Sequence, residues 1–91
     1  GNMALEIGLN DSEISVFLKD VFKRWEKSFV NMIESAVEKG ELKLRETSVQ
    51  LAKMILASIE GGIMLSKITG DMDSLKKCAG FIKVIISERK V

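Results

Sequence analysis

Between Thr47 and Thr69 the chain carries only three charged residues, Lys53, Glu60 and Lys67. They are seven apart, and seven residues of an α-helix make almost two turns with about 20° of drift. All three therefore lie along one narrow stripe. The rest of the circumference is apolar or small: Leu51, Ala52, Met54, Ile55, Leu56, Ala57, Ile59, Gly61, Gly62, Ile63, Met64, Leu65 and Ile68. A helix that is apolar most of the way round is buried most of the way round. Few elements in a 91-residue chain are free to cover it. A domain of this size buries only roughly two-thirds of its unfolded surface, yet 46% of these residues are hydrophobic. Part of that surface is expected to bury against another chain.

The flanking sequence predicts an all-α domain with a short apolar lead and three longer helices. The lead, Gly1 to Gly8, has helical character but no cap. Asn10 and Asp11 then offer N-caps, Asn10 with Glu13 has capping-box spacing, and Leu9 with Ile14 forms a hydrophobic-staple pair. From there Ile14, Leu18, Val21, Phe22, Trp25, Phe29, Met32, Ile33 and Ala36 recur at three- and four-residue steps, which predicts a long amphipathic helix ending at Gly40. Glu41 to Glu46 reads as a polar connector. Thr47 and Gln50 form a second capping box, and the apolar helix that they open stops at Gly70. Asp71 or Asp73 starts the last helix, which runs to about Glu88 with Leu75, Cys78, Ala79, Ile82, Ile85 and Ile86 on one face. Arg89 and Lys90 complement its negative end.

Composition narrows the functions. The chain has no histidine and one cysteine, which removes Ser-His-Asp and Cys-His catalysis, Cys-rich zinc sites and an intrachain disulfide. No nucleophile–base pair, phosphate loop or metal constellation is visible, so the expectation is a non-enzyme without cofactor or metal. A net charge of +1 leaves no electrostatic footprint for nucleic acid. No uncharged apolar run approaches the roughly 18 residues of a membrane span, no secretion signal is apparent, and no Lys/Arg-lined amphipathic face suggests membrane-surface binding. A cytoplasmic location is expected.

Ser58, Gly62 and Ser66 are four apart, with Ala57 and Gly61 beside them. Small residues at this spacing allow close helix approach. The pattern suits a two-fold, four-helix interface between copies, made by Ile55, Ser58, Ile59, Gly62, Ile63 and Ser66 together with Ile82, Ile85 and Ile86. It also suits packing inside one chain.

Taken in order, the pieces resemble the C-terminal regulatory domain of TetR/AcrR-family transcriptional regulators. They are GNMALEI, Asn10-Asp11-Ser12 before a long helix with Phe22 and Trp25, and Lys39-Gly40-Glu41-Leu42. Ile59-Glu60-Gly61-Gly62-Ile63-Met64-Leu65 and Thr69-Gly70-Asp71 follow. The resemblance covers essentially the whole chain. It implies a homodimer held by a four-helix bundle of the last two helices, a small hydrophobic effector bound in this domain, and operator DNA bound through an N-terminal helix-turn-helix. That motif is absent here, so residues 1–91 are expected to be the C-terminal part of a regulator, a repressor by analogy, of about 190 residues. A free-standing helical homodimer acting as an adaptor is the alternative.

Phe22, Trp25, Phe29 and Met32 are the candidate pocket lining, with Met54 as an adaptable wall; the same residues could be ordinary core. Met64 could likewise line a pocket or fill an interface. Glu60 could orient a ligand or mark a solvated edge. Cys78 reads as a buried small hydrophobe or, if exposed, a redox sensor. Asp71 and Asp73 read as caps or a metal pair.

Overall fold

A computed structural model describes residues 10–91, and all statements of structure concern these residues. The lead helix and the Leu9–Ile14 staple lie outside them. Three helices follow: α1 (Asp11–Glu38), α2 (Ser48–Thr69) and α3 (Asp73–Glu88). No strand occurs; a single antiparallel bridge joins Leu42 to Lys90.

The helix ends follow local chemistry. Asn10 accepts from the Glu13 N–H at 2.8 Å, although the Glu13 carboxylate meets the Asn10 side-chain amide rather than its backbone. Thr47 and Gln50 complete the full capping box, at 3.1 and 3.0 Å. Gly40, at φ 74°, closes α1 in a Schellman motif: its N–H bonds to Val37 and the Glu41 N–H to Ala36. Gly70, at φ 77°, turns the chain out of α2. Helix α3 starts differently from expectation. Met72 occupies its N-cap without a side-chain bond. Asp71 accepts from the Asp73 N–H at 3.0 Å, and the hydroxyl of Ser66, nine residues back, accepts from the Leu75 N–H at 3.1 Å.

Helix α2 is the centre. Helices α1 and α3 both pack on it and scarcely on each other. The buried core is small: Ile33 of α1 with Leu51, Ala52 and Ile55 of α2. Phe29, Val30, Leu44, Ile59, Ile82, Ile85 and Ile86 pack around it, each partly exposed. At the α2–α3 crossing, a Cβ added at Gly62 would lie 3.1 Å from the Leu75 Cα and 3.2 Å from both Cβ and Sγ of Cys78. The glycine is there because backbone meets backbone. Of the residues expected between copies, Ile55, Gly62 and Ser66 are thus buried inside the chain, in α2's contacts with its own neighbours. Ile59, Ile82, Ile85 and Ile86 pack around the same core, Ser58 is half-buried, and Ile63 alone of the set is exposed. Ala79, expected on the packed face of α3, points to solvent.

The far end is closed by the connector and the chain terminus. The Lys43 N–H bonds to Arg89 O at 2.7 Å and the Val91 N–H to Glu41 O at 3.0 Å. The Arg89 guanidinium grips the Glu46 carboxylate with two bonds of 2.6 Å and caps the Ile85 carbonyl at 2.8 Å. Both side chains are largely shielded, 12% and 17% exposed. Arg89 holds the Glu46 carboxyl below its ordinary value, chiefly through these bonds and against a smaller desolvation cost.

The Cα positions extend over 48 × 28 × 15 Å, with α1 and α3 both laid against α2.

Three outcomes follow. At a fixed protein concentration, Gly62→Val is expected to lower stability by about 1–3 kcal/mol, since the Leu75 backbone has no rotamer to move. Ser66→Ala should cost about 1 kcal/mol through loss of the cap; urea midpoints measure both. Glu46 has a folded pKa below its unfolded one, so its contribution is full above about pH 4.5 and is lost as pH falls through the folded value. Wild type should therefore exceed Glu46→Gln in stability at pH 6, and the gap should narrow toward pH 3. A gap that widens on acidification would refute this reading of the pair.

Candidate functional site

Helices α1 and α2 meet along the C-terminal half of α1 and the N-terminal half of α2. Glu34 accepts from the Ser48 hydroxyl at 2.9 Å, and Glu26 stands 3.0 Å from Lys53 Nζ. Nearer the α1 N-terminus the covering stops: residues 15–20 are all exposed, Phe17 and Leu18 among them. Two adjoining hollows open where the contact gives out. One, of about 340 Å³, is lined by Lys19, Phe22, Lys23, Glu26, Lys53 and Leu56. The other, of about 270 Å³, is wholly apolar and lined by Trp25, Phe29, Leu56 and Ile59. Leu56 forms the wall between them. The Phe22 and Trp25 rings stand edge to face, 5.7 Å between centroids, an arrangement that rigidifies the aromatic side of the site.

Three of the five expected pocket residues, Phe22, Trp25 and Phe29, therefore come together. Met32 does not join them. It borders a separate hollow near the end of α1, with Asn31, Ser35, Ala36, Lys39 and Glu41. Met54 lies among the exposed residues of α2, turned from Leu56 and Ile59 by about 160° and 140° of helix rotation at about 100° per residue; it lines neither hollow. Sequence periodicity missed Leu56 and Ile59 as walls because α2 is apolar on nearly every side. It also missed Glu26, which is half-buried on the α1 face that meets α2.

The Glu26 Oε1 atom is buried and makes no hydrogen bond; Lys53 stands beside it as an ion-pair partner without hydrogen-bond geometry. Lys53 stays exposed on the expected stripe and at the same time ties α2 to α1 through this ion pair. Glu60 is half-buried and borders a shallow hollow with Ala57, Gly61, Ile63, Met64 and Lys67. Cys78 is half-buried against Gly62. Asp71 is engaged with the Asp73 N–H and the Thr69 hydroxyl, and Asp73 with Lys77 at 2.9 Å. Among the described residues no group of three potential metal ligands gathers.

The second surface lies on the far side of α2. Met54, Ala57, Gly61, Met64, Leu65 and Ile68 fall within an arc of about 100°, opposite the core. Met64 is 61% and Ile68 73% exposed. By length and composition alone α2 is apolar enough to cross a membrane. Its packing against α1 and α3 and its stripe of Lys53, Glu60 and Lys67 also fit a helix buried by protein on both sides. Helix α3 adds Phe81 and Val84, each more than half exposed.

No curated protein and no solved structure matches the chain. A family model described as transcriptional regulator LmrA/YxaF-like, C-terminal domain, matches residues 1–80. The three-helix, strandless architecture is consistent with that domain. The chain belongs to the C-terminal domain family of LmrA/YxaF-like TetR regulators.

Proposed function

We propose that this chain is the ligand-responsive dimerisation domain of a TetR-like transcription regulator, acting as a repressor in the bacterial cytoplasm. In this reading it is a single domain, and operator DNA is bound by a helix-turn-helix outside these 91 residues. A small, largely hydrophobic effector enters the hollows beside Trp25 and Phe29 and weakens that binding.

The observation that carries the reading is the uncovered face of α2. Met54, Met64, Leu65 and Ile68 are all at least half exposed; contiguous apolar surface of this kind marks an interaction site. Gly61 supports the same conclusion. A Cβ there would meet nothing within 4 Å in its own chain, so no intrachain contact calls for a glycine that costs the helix about 1 kcal/mol. A second α2 crossing closely at this point supplies the reason. The small-residue stripe thus divides: Gly62 and Ser66 serve the contact with α3, and Gly61 with Ala57 serves the partner. Phe81 and Val84 of α3 extend the same interface into a four-helix arrangement.

Light scattering after size exclusion tests this. The wild-type chain is expected to run at twice 10.1 kDa at micromolar concentration. The double variant Met64→Glu/Ile68→Glu should run as a monomer, because the interface would bury unpaired carboxylates. A wild-type monomer, or a variant that still dimerises with unchanged affinity, would refute the assignment of this face.

A further inference from the structure

The effector-domain reading leaves the ligand's chemistry open; the charge distribution in the α1–α2 hollows narrows it. Three ammonium groups, on Lys19, Lys23 and Lys53, surround the larger hollow against one carboxylate, that of Glu26. Lys53 already neutralises Glu26 at 3.0 Å. Lys19 and Lys23 lie one helical turn apart on α1, and neither forms an ion pair among the described residues. Arg24 on the same helix is paired with Asp20. Three ammonium groups against one carboxylate give this hollow a net positive lining in a chain that is nearly neutral at +1. Across Leu56 the adjoining hollow offers only Trp25, Phe29, Leu56 and Ile59.

We propose that these two hollows together take a small amphipathic anion. Its carboxylate or similarly charged group lies against Lys19 and Lys23, and its apolar body passes Phe22 and Leu56 to rest on Trp25 and Phe29. The assignment rests on the effector-domain reading and deepens it. A cationic ligand would need Glu26, which is already held by Lys53, and would face two unpaired lysines. A neutral apolar ligand would fill the aromatic hollow but make no use of the charged one. Charge complementarity of this kind selects among ligands of equal apolar size more than it adds raw affinity.

Trp25 is the only tryptophan, so its fluorescence reports directly on the site. Three probes of one chain length, each below its micelle concentration, separate the terms: decanoate, decan-1-ol and decyltrimethylammonium. Decanoate is expected to shift Trp25 emission saturably and to bind about fivefold or more tightly than decan-1-ol. That ratio corresponds to two part-exposed charge contacts. Raising sodium chloride from 50 to 500 mM should weaken decanoate and leave the alcohol unchanged. The double variant Lys19→Gln/Lys23→Gln, at two exposed positions, should remove the preference without altering helix content or alcohol binding. Equal binding of all three probes, tighter binding of the cation, or a carboxylate preference that survives the double variant would overturn the anion assignment alone. No Trp25 response to any probe would overturn the effector-site reading beneath it.

Discussion

The structure depends on one geometric constraint: among the described residues, a central helix that is apolar around nearly its whole circumference has only two helical neighbours. Helix α1 covers one flank of α2 and α3 another, leaving an arc of about 100° without a covering element. Three helices of which α1 and α3 scarcely touch enclose only a small interior. Among the described residues its buried apolar side chains are those of Ile33, Leu51, Ala52 and Ile55, which lie where the elements converge. Such a core is too small to account for the hydrophobicity of the chain, and the uncovered arc shows where the remainder resides.

Two different devices attach the neighbours to α2, and the difference matters for function. The α2–α3 joint is tight: Gly62 brings the backbones together, Ser66 caps the first turn of α3, and the Arg89–Glu46 pair closes the other end. The α1–α2 joint is looser. It relies on the Glu26–Lys53 ion pair, the Ser48–Glu34 hydrogen bond and partly exposed side chains around Ile33. Tight packing gives a rigid pair, as expected of an element that meets a partner. Incomplete packing leaves room, and the two hollows lie on that side. The tighter joint and the two hollows thus lie on different flanks of one helix.

Much of this architecture was legible in the sequence because it is written in short-range chemistry. Asn10, Gly40, Thr47, Gln50 and Gly70 each act at the helix boundary where their side chain or their conformational freedom predicts. These features depend on residues three or four apart, and no tertiary information is needed. The start of α3 shows the limit. Its Leu75 N–H is satisfied by Ser66, a partner that becomes adjacent only once Gly70 has reversed the chain. The same is true of Arg89 and Glu46, 43 residues apart.

The site was legible in part for a related reason. Periodicity identifies the apolar residues of a helix but does not say which neighbour each one meets, and on α2 it barely identifies a face at all. Phe22, Trp25 and Phe29 could be grouped because α1 has a clear polar side that orients the stripe. Met54 could not be placed, because every direction from α2 looks equally apolar. The Ser58–Gly62–Ser66 spacing correctly signals a close helix approach, yet close approaches within and between chains use the same residues. What separates them is the space around each glycine: Gly62 is pressed against Leu75 and Cys78, whereas Gly61 meets nothing within 4 Å among the described residues. That distinction is a property of the folded surface, and it turns an ambiguous stripe of small residues into an inner joint and an outer face.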